Sequence, residues 1–418
     1  MWHAALTRGG ACVFSTQSEH FASLANAPVA TEDAPVATED DGDGPVAGEA
    51  GNPVSLGNVA VVGAKTDAEL FALLEKRGEL PPSKQRDLFI EECAGGDAAA
   101  QLATVVGAAG QPGITVVSAN VYYGQCTVPG TGEKSIDPAR TFAAVEALFA
   151  AGADVVCMQE VVGEQDMGIA GGKDSYSFDF FPKEAFAPWP EATAAFEARC
   201  GVSFVYAAAE NSTMYRHSFG NAIAIKKSTL KVVDSKTQPC LTVPTEQEGM
   251  EGRAAVTVVV QPVGGGGKLT VCCTHLTEKV VGEPGQKQAE MIEALLQGTL
   301  ADPKFAQYPT VLCGDFNINN VAEGMPPKSA AWCQASPFLH PHADYDPYKR
   351  LADAGFTSGS SVAVAQGTSL HTCWNGATVD YNGWRNGAMA LACGCVDPTH
   401  NGQVVSDHRW PVGVYRFP

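Results

Sequence analysis

The stretch TVLCGDFNIN, residues 310–319, joins an apolar run to a polar end. Its first residues, Thr310–Cys313, have the β-branched and apolar composition of a buried strand. Asp315 and Asn317 follow directly, where such a strand would end. The stretch therefore predicts a strand of a layered fold that delivers polar side chains to one edge of a sheet.

The same pattern recurs in three other stretches. Apolar runs end in polar residues at VVSAN (116–120), VVCMQE (155–160) and LTVCCTH (269–275). Strand ends in a layered fold collect functional groups in one crevice. Carboxylates bind Mg²⁺, Asn amides donate to phosphate oxygens, and His moves protons near neutral pH. Taken alone, each motif is also typical of a turn, a surface loop or a satisfied histidine.

The rest of the chain after Gly113 alternates strands with a few helices. RAAVTVVVQP (253–262) and KLTVCCTHL (268–276) are predicted to form a hairpin-like pair. Asp137-Pro138 is a typical helix start, and QKQAEMIEALLQGTL (286–300) has helical apolar spacing. Many antiparallel neighbours and intervening helices predict two packed sheets covered by helices.

In this order, the motifs resemble the endonuclease/exonuclease/phosphatase (DNase I-like) superfamily of metal-dependent phosphoesterases. The matching motifs are Asn120 in VVSANVYYG, Gln159-Glu160, GNAI (220–223), THL (274–276), GDFN (314–317), VDY (379–381) and SDH (406–408). The resemblance covers roughly Gly113 to Pro418. It implies an α/β fold, a four-layer α/β sandwich of two mixed β-sheets flanked by helices.

The resemblance implies a metal site. Glu160 resembles the main metal-binding carboxylate, Asn120 the amide beside it, and Asp407 a second carboxylate at the metal. The implied ion is Mg²⁺, with Mn²⁺ as an alternative. Arg253 is a candidate for binding the substrate phosphate, and a surface salt bridge is an equally good interpretation of it.

The resemblance also implies five catalytic residues. Asp315 and Asn317 resemble the pair that orients or deprotonates the attacking water, and Asn317 would also bind the phosphate. His275 resembles the histidine that donates to a phosphate oxygen or protonates the leaving group. His408 resembles the other catalytic histidine, with Asp380 as the acid that fixes its tautomer. The implied reaction is in-line attack of water on phosphorus.

The sequence departs from the family pattern in two places. Tyr122 stands where the family often has a second carboxylate, so Asn120 alone supplies a ligand from that strand. Asn382-Gly383-Trp384 follows Asp380 in place of the usual apolar strand, which leaves the register of Asp380 open. Trp332 and Trp374 lie in loops where the family builds substrate contacts.

The net charge of the chain disfavours one class of substrate. The net charge is −19, from 27 Lys and Arg against 46 Asp and Glu. This charge disfavours non-specific binding of nucleic acid, which depends on Lys and Arg. We therefore expect hydrolysis of a phosphate ester, preferentially a phosphodiester. A nuclease or deadenylase acting on RNA or DNA is one alternative. A degenerate protein that binds a phosphorylated ligand without turnover is the other, although a binding module does not need both histidines.

The chain is predicted to contain three segments. Residues 1–58 repeat PVATED and are rich in acids, which predicts a disordered tail. Residues 59–110 are predicted to form a helical accessory segment, beginning with a helix between Thr66 and Pro81. Residues 111–418 form the predicted catalytic domain. The sequence contains no run of 18 apolar residues, so we expect no transmembrane helix. We expect a cytoplasmic protein, with organellar import through a transit-like N-terminus as the alternative, and the oligomeric state stays open.

Overall fold

The computed structural model describes most of the chain after Asn58. The described residues are 59–66, 68–69, 72, 82–127, 131, 133–163, 183–214, 217–242, 252–320, 341–366, 368–374 and 377–418. The predicted tail 1–58, most of the helix predicted between Thr66 and Pro81, and Trp332 lie outside them. All described residues belong to one compact unit, Ser55–Pro418.

Helices and strands alternate along the described residues. The helices are α1 Pro82–Ala94, α2 Ala98–Ala108, α3 Pro138–Ala150, α4 Trp189–Cys200, α5 Gln286–Gln297, α6 Pro303–Ala306, α7 Pro347–Asp353 and α8 Gly359–Ala365. The strands are β1 Ala60–Val62, β2 Lys65–Thr66, β3 Ile114–Asn120, β4 Gln125–Thr127, β5 Lys134–Ile136, β6 Val155–Gly163, β7 Val202–Met214, β8 His217–Lys226, β9 Leu230–Gln238, β10 Ala255–Pro262, β11 Leu269–His275, β12 Thr310–Asp315, β13 Thr357–Ser358, β14 Thr368–Ser369, β15 Asp380–Arg385, β16 Met389–Val396, β17 Thr399–His400, β18 Gln403–Val404 and β19 Trp410–Arg416.

Two large mixed sheets form the centre of the molecule. The first has seven strands in the order β1-β16-β19-β3-β6-β8-β7, and the second has six in the order β13-β15-β12-β11-β10-β9. In the first sheet β1/β16 and β3/β6 are parallel pairs, and in the second β11/β12 is parallel. The predicted hairpin-like pair is confirmed, because β10 and β11 are antiparallel neighbours. Among the described residues there are also two small sheets, β14-β2 and β17-β18-β4-β5.

Side chains that alternate along each strand build three apolar layers. In β3, Val116 joins the core between the two sheets, whereas Val117 joins the core beneath α2, α3 and α4. In β11, Cys273 faces the core between the sheets and Cys272 faces α5 and α7. Strands that are buried on both faces read as continuous apolar runs. The order helix, sheet, sheet, helix confirms the predicted four-layer sandwich.

The predicted helix start at Asp137 is confirmed. The Oδ1 atom of Asp137 accepts a hydrogen bond from the backbone N of Arg140 at 3.0 Å, and Pro138 is the first helical residue. A side-chain oxygen at this position satisfies a backbone N–H that has no partner inside the helix. This cap begins α3, which covers the outer face of the first sheet.

Residues 59–110 contribute to the main sheet as well as to helices. β1 pairs in parallel with β16, and the sequence did not predict this strand because AVV is too short to show a period. Helices α1 and α2 lie within this segment, and Leu102 and Val105 of α2 are buried in the outer core of the first sheet. The division of the chain into three segments stays a prediction. None of the described helices is long and apolar enough to cross a membrane.

Replacing Leu102 tests whether this segment unfolds together with the sandwich. Leu102 is fully buried, so we expect Leu102→Ala to lower the free energy of unfolding by about 2–5 kcal/mol. Denaturant unfolding followed by far-UV circular dichroism would measure this loss. Thr104→Ala, an exposed position of the same helix, is the control and should change the stability little. Equal stability of Leu102→Ala and the unaltered protein would show that the segment unfolds separately.

Candidate active site

The strand register brings polar side chains of both sheets to one place. Asn120, the last residue of β3, lies opposite Gln159 in β6. In the second sheet, Asp315 at the end of β12 lies opposite His275 on one side and opposite Asp380 on the other. The sequence left the register of Asp380 open, and the structure places it in the first position of β15.

Asn120 connects the two sheets by hydrogen bonds. Its Nδ2 atom donates to Oε1 of Glu160 at 3.1 Å and to Oδ2 of Asp315 at 2.9 Å. Its Oδ1 atom accepts from the backbone N of Tyr122 at 2.8 Å. Asn120 is fully buried, and these contacts fix its amide between a carboxylate of the first sheet and one of the second.

The backbone is irregular at Glu160. The pairing of β6 with β8 shifts register between Met158 and Val161, which marks a β-bulge. Glu160 itself has φ +59°, a left-handed conformation that few residues other than glycine adopt. A bulge redirects a side chain relative to the regular alternation of a strand. Gln159 points between the sheets, with Nε2 3.2 Å from Sγ of Cys273, and the bulge lets its neighbour Glu160 reach Asn120.

Asp315 and Asn317 form a turn that also holds His275. The backbone N of Asn317 donates to Oδ1 of Asp315 at 2.8 Å, so the turn interpretation of this motif is also correct. Asn317 has φ +52°. Its Nδ2 atom donates to the carbonyl of Leu276 at 3.0 Å and lies 2.7 Å from Nε2 of His275.

His275 lies between two donors. Asn317 contacts its Nε2 atom, and Nη1 of Arg253 lies 3.4 Å from its Nδ1 atom. Burial and the positive charges of Arg253 and His408 hold the pKa of His275 well below its usual range. Both hydrogen-bond partners of the ring are donors, and Oδ2 of Asp315 lies 3.7 Å from Nε2, beyond hydrogen-bonding distance. His275 is therefore neutral at neutral pH.

His408 is in the opposite protonation state. Its Nδ1 atom lies 2.8 Å from Oδ2 of Asp380 and 3.8 Å from Oδ2 of Asp315. Burial opposes a charge on the ring, but the carboxylates of Asp380 and Asp315 outweigh it and raise the pKa of His408 well above its usual range. The hydroxyl of Thr372 accepts from the backbone N of Asp380 at 3.1 Å, which holds the backbone of Asp380 at the start of β15. The site thus contains one neutral and one charged imidazole.

The acidic side chains of the site outnumber its positively charged groups. Burial and the nearby carboxylates of Asp407 and Asp315 raise the pKa of Glu160 to about 8. Burial also raises the pKa of Asp315. Ligand atoms of Glu160, His275 and Asp315 lie within 4.8 Å of one another, and Oδ1 of Asp407 is buried without a hydrogen-bond partner among the described residues. The carboxylate oxygens of this set fit a divalent cation.

Sequence reasoning missed one residue of the site. Arg86 of α1 places Nη2 3.1 Å from Oδ2 of Asp407, and its guanidinium lies against the rings of Trp374 and Tyr122. Trp374 was expected to contact substrate, and in the structure it is buried against Arg86. No motif surrounds Arg86 in the sequence, so only the packing of α1 reveals its position.

The chain matches the model of a known protein family. The model described as "Endonuclease/Exonuclease/phosphatase family" matches residues 117–408, more than half of the chain. The chain belongs to this family. Members of the endonuclease/exonuclease/phosphatase family are hydrolytic phosphoesterases that use a divalent metal, so the chain is a phosphoric ester hydrolase. The matched range begins at Val117 and ends at His408, and it leaves out α1 and α2.

Several solved structures resemble this member of the family. The human Nocturnin catalytic domain with bound sulfate anion is 19% identical, with 73% of this chain and 94% of that chain covered and a TM-score of 0.47. An endonuclease/exonuclease/phosphatase from Beutenbergia cavernae is 18% identical, with 73% and 72% covered and a TM-score of 0.48. D. rerio TDP2 complexed with single strand DNA product is 15% identical, with 73% and 100% covered and a TM-score of 0.45. None of the curated protein sequences gives a significant match to the chain.

Proposed function

We propose that the protein is a Mg²⁺-dependent phosphodiesterase. The observation that carries this proposal is the buried cluster in which His408, with Nδ1 2.8 Å from Oδ2 of Asp380, and Asp315 lie beside the carboxylate of Glu160. Buried titratable groups with shifted pKa values that cluster in one place are typical of catalytic acids and bases. A phosphodiester with one negative charge would enter this acidic site with less repulsion than a doubly charged monoester.

Glu160 is the residue that would hold the ion, with Asp315 beside it. Asn120, the ligand expected from the sequence, would orient these two carboxylates through Nδ2, because its own Oδ1 accepts from the backbone N of Tyr122. A bound Mg²⁺, or Mn²⁺ as the alternative, would neutralise charge on the phosphoryl oxygens. Asp407, the third ligand expected from the sequence, is ion-paired with Arg86.

Asp315 is the proposed base. Its raised pKa brings the carboxylate closer to the working pH, which favours proton transfer from water. The turn that joins Asp315 to Asn317 would keep the amide of Asn317 near the water and the phosphate. The low pKa of His275 supports a neutral, positioning role beside Asn317 and Arg253 better than the expected role of proton donor.

His408 is the proposed acid. Asp380 holds the ring through Nδ1. Nε2 lies 3.9 Å from Sγ of Cys373 and 3.9 Å from Oδ1 of Asp407, and it is the nitrogen that would donate to a phosphoryl oxygen or a leaving group. The charged ring would stabilise negative charge that develops on oxygen, and it would supply the proton that the leaving oxygen needs. Water attack assisted by Asp315 and protonation by His408 complete the hydrolysis.

Turnover of a small substrate panel tests this proposal. We expect the protein with Mg²⁺ to hydrolyse an aryl phosphodiester at least about tenfold faster than the matching aryl phosphomonoester, because of the charge argument. A single-stranded oligonucleotide in the same panel tests the nuclease alternative, and preferred cleavage of it would identify the diester. A faster monoester reaction would contradict the diester proposal, and tight binding of the substrates without turnover would favour the degenerate binding protein.

A further inference from the structure

Arg409 follows His408 directly, and its side chain lies in a separate buried ion cluster. The Nε atom of Arg409 donates to Oδ1 of Asp397 at 2.7 Å, and its Nη2 atom lies 3.6 Å from Oε2 of Glu92. Its Nη1 atom donates to Nε2 of His371. The side chain of Arg409 is only 10% exposed, so these ion pairs are screened little by solvent. One guanidinium therefore joins three separate segments of the chain.

Helices α1 and α2 contribute directly to this cluster. The ring of Phe89 in α1 lies 5.1 Å from the guanidinium carbon, and Glu92 is on the same helix. From α2, Nε2 of Gln101 donates to Oδ2 of Asp397 at 2.7 Å, and Oε1 accepts from the backbone N of Asp397 at 2.6 Å. Both helices precede Val117, where the family match begins. The cluster thus depends on a part of the chain that the family model does not include.

The same residue is connected to the segment that holds Asp380. The backbone N of Arg409 donates to the carbonyl of Thr372 at 2.6 Å. The hydroxyl of Thr372 accepts from the backbone N of Asp380 at 3.1 Å. His371, which the guanidinium contacts, is the neighbour of Thr372. Arg409 therefore links the backbone that carries His408 to the segment that holds its carboxylate partner.

The contact between His408 and Asp380 needs such a link. Nδ1 of His408 lies 2.8 Å from Oδ2 of Asp380. The other oxygen, Oδ1, is buried without a hydrogen-bond partner among the described residues, so no second side chain orients this carboxylate. The alignment of the two groups then depends on their backbone segments. A displacement of ~1 Å in an active site can lower a rate by about a hundredfold.

We propose that Arg409 is a positioning residue for the acid of the reaction, and that it aligns His408 with Asp380 from the buried ion cluster. The inference rests on the proposed function, because His408 is the acid of that mechanism. Arg409 acts through His408 and its partner. Helices α1 and α2, which surround the guanidinium, are then part of the catalytic framework.

Separate measurement of kcat and KM for an aryl phosphodiester with Mg²⁺ tests this role. Arg409→Met keeps the length of the side chain and removes the guanidinium, so kcat should fall at least about tenfold while KM stays within about twofold. Arg409→Lys retains the charge, but an ammonium does not reach three partners at once, so kcat should fall about threefold. Thermal unfolding of each variant establishes that it is folded at the assay temperature.

A double variant separates positioning from a general loss of packing. If Arg409 acts through Asp380 and its histidine, Arg409→Met should lower kcat by less than about twofold when Asp380→Asn is already present. Arg385→Met is the matched control, because Arg385 is a partly buried arginine of β15 that donates to two backbone carbonyls. It lies at the other end of that strand, roughly 16 Å from Asp380. Its loss should lower the stability and leave kcat unchanged.

The outcomes distinguish this inference from the proposed function. Unchanged kcat in a folded Arg409→Met, a rise in KM alone, an equal loss of kcat in Arg385→Met, or a further tenfold loss in the Asp380→Asn background would each overturn the role of Arg409 and leave the hydrolysis standing. If Arg409→Met does not fold, Arg409→Lys decides. Unchanged kcat in that variant overturns the role, and a loss that disappears in the Asp380→Asn background supports it. Absence of turnover by the unaltered protein with Mg²⁺ would overturn the proposed function and, with it, this inference.

Discussion

Glu160→Gln is expected to reduce Mg²⁺-dependent turnover by at least about a hundredfold. The change removes a full negative charge from the residue that would hold the ion, and at ~4 Å such a charge contributes of order 4 kcal/mol near a protein surface. The amide keeps the size of the side chain and can still contact Asn120, so the fold should remain intact. Initial rates against Mg²⁺ concentration would measure the loss. Unchanged activity at saturating Mg²⁺ would contradict the metal assignment.

The same variant should be more stable than the unaltered protein when metal is removed. Burial raises the pKa of Glu160 in the folded state to about 8, from its ordinary value of 4.5 in the unfolded chain. Below pH 4.5 the carboxyl is protonated in both states and costs nothing. As the pH rises from there to about 8, the unfolded state loses the proton first, so the stability of the folded state falls. Glu160→Gln lacks this loss.

Thermal unfolding in EDTA at several pH values would detect this difference. The gap between Glu160→Gln and the unaltered protein should widen between about pH 5 and pH 8. Glu191→Gln, an exposed position at the start of α4, is the control and should follow the unaltered protein. Parallel curves for Glu160→Gln and the unaltered protein would show that Glu160 does not carry a buried charge.

Asp380→Asn is expected to lower turnover by about two to four orders of magnitude with little change in KM. Asp380 contacts Nδ1 of His408 at 2.8 Å, and an amide can hold the wrong tautomer and does not stabilise an imidazolium as a carboxylate does. His408→Ala should be at least as damaging. The double variant should be little slower than His408→Ala alone, because groups that act as a unit are not additive.

The pH profile should change as well. The carboxylates raise the pKa of His408, so an acid that must be protonated remains active to higher pH in the unaltered protein. Without the charge of Asp380 that pKa falls, and the basic limb of the rate profile should move to lower pH. Asp353→Asn, an exposed ion-pair partner of Lys349, should leave the profile unchanged. A normal rate and profile for Asp380→Asn beside an inactive His408→Ala would remove Asp380 from the site.

The sequence predicted the layered fold because its strands are buried on both faces and therefore read as continuous apolar runs. It also located Asn120, Asp315 and His275, since each lies at the end of such a run and the parallel neighbours β3/β6 and β11/β12 align those ends. Asp380 lies at the start of β15, opposite Asp315, although the polar residue Asn382 follows it in the strand. The side chain of Asn382 is buried and forms hydrogen bonds with the hydroxyl of Tyr415 and the carbonyl of Val116, so the strand tolerates it.

Other features depend on contacts between distant segments. The bulge at Glu160 arises where β6 pairs with β8, and nothing in QEVVG predicts it. The ion pair of Arg86 and Asp407 joins positions more than 300 residues apart, on a helix whose sequence shows no distinctive apolar face. The short strand β1 forms only because β16 offers it an edge. Local sequence patterns do not predict contacts between residues that are far apart in the chain.

Turnover of an aryl phosphodiester, measured against the concentration of free Mg²⁺, shows whether the hydrolysis depends on the metal. The purified protein should show no turnover in EDTA, a saturable rise as Mg²⁺ is added, and full recovery when EDTA is titrated out with more Mg²⁺. Turnover in EDTA that equals turnover in Mg²⁺ would contradict the account, because the carboxylates of Glu160 and Asp315 would then act without an ion.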